Sequence, residues 1–95
     1  MIPTDLDGAV VLSTAVVLPG AGTGRTKHFR DGALLNDRIR NLAIARYDEA
    51  DEVYLFYCDT HWNVLTDTLH STVEAAVDQA HFEFGDVIFT ESPSA

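Results

Sequence analysis

No lysine or arginine follows Arg46. All six basic residues lie in residues 1–46, beside only four acids, Asp5, Asp7, Asp31 and Asp37. The rest of the chain carries eleven acids, so the two parts hold formal charges of +2 and −11 within the overall −9. A base-free half repels phosphate backbones and anionic lipid, so neither nucleic acid nor a membrane surface is an expected partner. Cysteine is nearly absent. Cys58 stands alone, which rules out an internal disulfide and a multi-cysteine zinc site, and a lone thiol suits a reducing compartment. The N-terminus places Asp5 and Asp7 where a secretory signal needs positive charge. The apolar run at residues 9–18 is about half the ~20 residues of a membrane-spanning helix. A cytoplasmic protein is expected.

What is present has a globular balance. Of 95 residues, 46% are hydrophobic and 22% charged, enough for a single domain over residues 1–95 with one two-layer core. Residues 9–18 are valine-rich and short, and read as a strand buried on both faces that Pro19 ends. A glycine-rich loop follows, residues 26–30 read as a short returning strand, and Asp31 with Gly32 signals a turn. Residues 33–47 support two readings. Leu35, Ile39 and Leu42 sit at helical spacing, whereas Leu42 and Ile44 alternate with Ala43 and Ala45. A strand over 41–47 is expected, because a polar turn and the all-apolar run Val53–Cys58 complete a hairpin. Asp59 opens the next turn. Residues 63–69 return as a more polar edge strand, with Val64, Thr66 and Thr68 on one face and Leu65 and Leu69 on the other. Ser71 and Glu74 have the spacing of a capping box. The helix they start carries an apolar stripe of Val73, Ala76, Val77, Ala80 and Phe84, with Gly85 at its end. Residues 87–90 read as a last strand. The expected fold class is α+β: an antiparallel sheet of four to six strands with one C-terminal helix packed on one face.

The chemistry-bearing residues point less sharply. Gly20, Gly22 and Gly24 after a valine strand invite comparison with a phosphate loop, but Arg25 stands where its lysine belongs and the glycine spacing is one residue short. A hairpin loop is the better reading, with Arg25, Lys27, His28 and Arg30 as a modest anion patch. Cys58, Asp59, His61, Asp67 and His70 fall in one thirteen-residue window. Adjacent strand residues face opposite ways, and no spacing matches a zinc signature. A buried thiol and a turn-forming Asp59 account for them. Glu74, Asp78 and His81 stack on one helix face and are equally at home in water. Phe82 lies opposite the apolar stripe, so either another segment covers it or it is an exposed anchor. Trp62, at a turn, raises the same question.

Ala45, Arg46, Tyr47 and Asp48, then Tyr54 through Asp59, Trp62, Leu65 through Thr68, His70, and Gln79, Ala80, Phe82, Glu83 and Phe84 form a specific string. This string resembles that of a group of small bacterial proteins without assigned function. The resemblance covers roughly the second half of the chain, implies no activity and assigns no site residues.

With no reaction motif, the expected role is binding another protein or self-association, without a cofactor and without catalysis. A neutralising partner of a basic protein such as a toxin or nuclease fits the acidic half. The contact residues expected on that reading are Asp48, Glu49, Asp51, Glu52, Trp62 and Phe82. The alternative is a small metal-binding protein or enzyme using the His61/Asp67/His70 region or the Glu74/Asp78/His81 helix face.

Overall fold

The fold was examined in a computed structural model, which describes residues 2–92. Six strands form an antiparallel sheet: β1 (Asp5–Leu6), β2 (Ala9–Val16), β5 (Asn41–Arg46), β6 (Val53–Cys58), β7 (Val64–His70) and β8 (Thr90–Glu91). The order is β1-β2-β5-β6-β7, and β8 joins β2 on the edge it shares with β1. Helix α1 (Val73–Phe84) packs on one face, against β6 and β7. The α+β class, the strand count and the single C-terminal helix are as the sequence predicts. Residues 41–46 are strand, and a 3-10 turn, Asn36–Arg38, takes the preceding polar residues.

Two hydrophobic clusters lie on opposite faces of the sheet. The helix side gathers large side chains: Ile39, Leu42, Ile44, Val53, Leu55, Tyr57, Leu65 and Phe84. Among the described residues the second face carries no helix. There Ala9, Val11, Ala43, Ala45, Phe56 and Cys58 are buried under Leu6, Tyr54, Trp62 and Val64. Tyr54 stacks on Phe56 at 5.8 Å and meets Tyr47 edge-on at 5.6 Å, so a row of aromatics roofs the small residues. Strand β6 is apolar throughout because both its faces are covered.

Bulges reset the alternation in two strands. In β2 the register slips between Val11 and Ser13, freeing Leu12 to accept from Ser92 N at 2.8 Å, while Val11 N donates to Thr4 O at 3.0 Å. One edge of β2 thus serves both β1 and β8. In β7 the slip falls between Val64 and Thr66. Leu65 therefore joins Thr66 and Thr68 on the helix side and Val64 goes to the second face, which corrects the strict alternation expected from sequence.

Other corrections are local. Residues 9–18 are not buried on both faces: β2 ends at Val16, and Val10, Val16 and Leu18 are exposed. The returning strand at 26–30 shrinks to β3 (Phe29–Arg30), which pairs with β4 (Ala33–Leu34) across Asp31 and Gly32 and not with β2. Both turn residues have positive φ, 51° and 79°, the signature of a two-residue hairpin loop. Asp7 and Gly8 make the same kind of turn between β1 and β2, a strand pair the sequence reading did not anticipate. The helix is capped one residue later than expected. Thr72 Oγ1 accepts from Ala75 N at 3.1 Å, and the residue at the reciprocal position is an alanine, so no capping box forms. Gly85, with φ 75°, ends the helix by donating to His81 O at 2.9 Å. The last strand lies at 90–91, not 87–90.

Candidate functional site

The long connection from β2 to β5 is fastened to the helix C-terminus by a buried polar centre. Glu83 sits on the inner side of α1, one turn beyond Ala80, and is almost fully buried. Its carboxylate accepts from His28 Nε2 at 2.6 Å, from Gln79 Nε2 at 2.8 Å and from the Tyr57 hydroxyl. An ionised carboxylate only accepts, so every proton direction in the network follows. Tyr57 donates to Glu83 and accepts from Thr68 Oγ1 at 3.3 Å, and Thr68 Oγ1 accepts from His70 Nε2 at 2.7 Å. The His28 ring also lies 4.4 Å from the Tyr57 ring. Burial alone would raise the Glu83 carboxyl, but the hydrogen bonds from His28, Tyr57 and Gln79 outweigh it and hold the group below the usual carboxylate range. Burial first, and the bond to Glu83 second, push the Tyr57 hydroxyl far up. Burial lowers His70 against the pull of the Glu83 charge. Thr23 adds backbone ties: its Oγ1 donates to Phe82 O at 2.8 Å and its N donates to Glu83 O at 2.8 Å.

The donors and acceptors of this centre satisfy one another. It is a clamp holding the loop to helix and sheet. The sequence reading missed it, although one signal was present: Glu83 lies on the helical stripe of Ala76, Ala80 and Phe84, an odd place for a carboxylate.

A groove of about 810 Å³ opens where β2 leaves the sheet. The ladder between β2 and β8 stops at Thr14 and Thr90. Beyond it, Val87 N donates back to Gly85 O at 2.9 Å, and Val87 and Phe89 turn into the helix-side core. Alternation then leaves Ile88 pointing out, 81% exposed. Across the gap, Ala15 and Val17 face the core while Val16 and Leu18 face out, 65% and 69% exposed. Ile2 completes the apolar rim at 52% exposed. Water-facing positions on a one-sided strand are ordinarily polar; here each is a large aliphatic. Among the described residues lining the groove, Asp86 is the one that is charged.

Trp62 forms the far wall. It ends the β6–β7 turn with φ 64°, a left-handed conformation that costs a bulky residue about 1–2 kcal/mol. Asp59 enforces it. Its Oδ1 accepts from His61 N at 2.9 Å and Asn63 N at 3.0 Å, its Oδ2 accepts from Asn63 Nδ2 at 3.0 Å, and its carbonyl accepts from Trp62 N at 3.1 Å. Although burial opposes it, the bonds from Asn63 and His61 hold the Asp59 carboxyl below its ordinary value. A strained residue held by its surroundings and aimed into a groove marks a place where function has a claim.

The other expected site residues are dispersed. Asp48, Glu49, Asp51 and Glu52 lie in the β5–β6 turn, at the opposite end of β6 from Trp62. Phe82 is 46% exposed, and the Arg25 guanidinium lies 5.4 Å from its ring centroid. His28 is drawn inward onto Glu83 and leaves the expected anion patch. His61 and His70 flank the two ends of β7, and Asp67 projects from the second face while His70 projects towards the helix. Glu74, Asp78 and His81 are exposed, and His81 Nε2 bonds to Val87 O at 3.0 Å. Among the described residues, no group of three or more histidine, cysteine, aspartate and glutamate side chains is gathered to hold a metal ion. Cys58 is buried, and burial, helped by the Asp59 and Asp7 charges, pushes its thiol up to about 12, which leaves it unreactive. No described helix is long and apolar enough to cross a membrane. No family model matches the chain, and no curated protein or solved structure is significantly similar to it.

Proposed function

We propose that the protein acts by binding another protein, and that the groove beside Trp62 is its contact surface. One observation carries this reading: Ile2, Val16, Leu18 and Ile88, all more than half exposed, converge on a single groove with no covering segment among the described residues. Apolar patches of this kind mark interaction sites. The occupant that fits is an extended segment with aliphatic side chains and a flanking lysine or arginine. The aliphatic positions match the rim, and the basic flank matches Asp86. A cytoplasmic inhibitor or immunity-type protein that neutralises a basic toxin or nuclease is the biological role this supports.

Selection from a displayed library of extended peptides tests it, run in parallel on the native protein and on Val16→Asp and Ile88→Asp variants. Enrichment of aliphatic-basic sequences on the native protein alone supports the reading. Equal enrichment on all three proteins removes the groove from it.

A further inference from the structure

The sheet's two edges are treated differently. The outer edge of β2 is covered by β1 and β8, whereas β7 has no neighbour on its outer side among the described residues. Two hydrogen bonds fix which way each residue of β6 faces. Cys58 O accepts from Arg40 N at 2.8 Å on the β5 side, and Asp59 N donates to Asn63 O at 3.1 Å on the β7 side. Backbone groups alternate along a strand, so Tyr57, Leu55 and Val53 bond towards β7. Their partners Thr66, Thr68 and His70 turn inward. Asp67 and Leu69 therefore turn their N–H and C=O groups outward, and both side chains are exposed on the second face.

We propose that β7 accepts an extended basic segment of a partner protein as a further antiparallel strand. Asp67 sets the register. In such a pairing the partner residue opposite Asp67 lies about 5.5 Å away, Cα to Cα, on the same face, where a lysine or arginine meets the carboxylate. The residue two positions earlier in the partner meets Leu69 and is best a valine or isoleucine. The recognised pattern reads aliphatic, any residue, basic. The surroundings add to the preference: α1, which lies against β6 and β7, exposes Glu74 and Asp78, and no basic residue follows Arg46. The same aspartate disfavours a second copy of this chain. Two β7 strands paired about a two-fold axis at their centre set Asp67 against Asp67, between chains of net charge −9. This surface is separate from the groove and does not depend on it.

The probe is a synthetic ten-residue peptide of threonine and valine with Val-Thr-Lys at its centre, titrated into nitrogen-15-labelled protein. Binding shifts the resonances of β6 and β7 and slows hydrogen exchange at the amides of Asp67 and Leu69. An Asp67→Lys variant binds this peptide about tenfold more weakly, and a peptide with glutamate in place of the lysine regains the loss. Ile88→Asp leaves the affinity unchanged. Absence of saturable binding at millimolar peptide overturns the proposal, as do shifts centred on Trp62 and Ile88 or an affinity indifferent to Asp67→Lys. Slow exchange of Asp67 and Leu69 in a peptide-free dimer also overturns it, by assigning the edge to self-association.

Discussion

On the helix-covered face of the sheet, β5 presents Leu42 and Ile44; on the other face the same strand presents Ala43 and Ala45. The difference follows from what each face packs against. A helix stands about 10 Å off a sheet, and that space must be filled, so the covered side needs large aliphatics and aromatics. The open side is covered by its own Tyr54, Phe56 and Trp62, and alanines suffice beneath them. Polar chemistry divides the same way. The covered side contains a carboxylate whose bonds are fully made, and the end of the sheet beside Trp62 exposes aliphatics whose contacts are not. Both faces hold a buried core, and the recognition surface lies at the end of the sheet where their covering stops.

The largest break in this contrast is expected at the clamp. Glu83→Ala leaves His28, Gln79 and Tyr57 without their shared acceptor in a buried place, and about 3–5 kcal/mol of unfolding free energy should be lost in urea titration. Glu83→Gln, which keeps an acceptor, should lose clearly less. Next come the two cores. Leu55→Ala on the covered face should cost about 2–5 kcal/mol, and Phe56→Ala on the open face about 3–5 kcal/mol. A cost below about 1 kcal/mol for Phe56→Ala would mean that the open face is not a core at all.

Acid should act through the clamp as well. The Glu83 carboxyl is held below its ordinary value in the folded chain, so its contribution is complete above the unfolded value near 4.3 and is lost as pH falls through the lower folded value. Unfolding midpoints measured from pH 6 to pH 2 should fall more gently in Glu83→Gln than in the native protein. The smallest stability effect is expected at the groove: Ile88→Asp should stay within about 0.5 kcal/mol of the native protein, because Ile88 is mostly in water.

The parts of this architecture that were legible in sequence are those whose signal is local. The run Val53–Cys58 is apolar at each position because both its neighbours are apolar layers, and the stripe from Val73 to Phe84 marks a helix on one sheet. The β5 strand was readable only through its hairpin with β6, since its alternation of leucine and isoleucine with alanine competes with the helical spacing of Leu35, Ile39 and Leu42. The clamp was not legible. His28 and Glu83 are 55 positions apart, and although Glu83 falls on the apolar stripe of its helix, nothing local pairs it with His28. The groove was half legible. Trp62 stands out in sequence as a large aromatic in a turn, but Val16 and Leu18 read as buried and Ile88 only as part of a last strand, until a bulge and a truncated ladder turn them outward. Register is what sequence pattern conveys least, because one added residue exchanges the faces of a strand. The acidic turn at 48–52 drew notice by composition, yet it lies at the far end of β6 from the groove.

Trp62 is the only tryptophan in the chain, so its emission reports on the groove alone. The most direct measurement is a fluorescence titration of native protein and of Ile88→Asp with an aliphatic-basic peptide selected on the native protein, alongside urea unfolding of both. The account predicts a saturable change in Trp62 emission with the native protein, and an affinity reduced at least about tenfold in Ile88→Asp at unchanged stability. Unchanged emission on binding, or equal affinity of the two proteins, would contradict it.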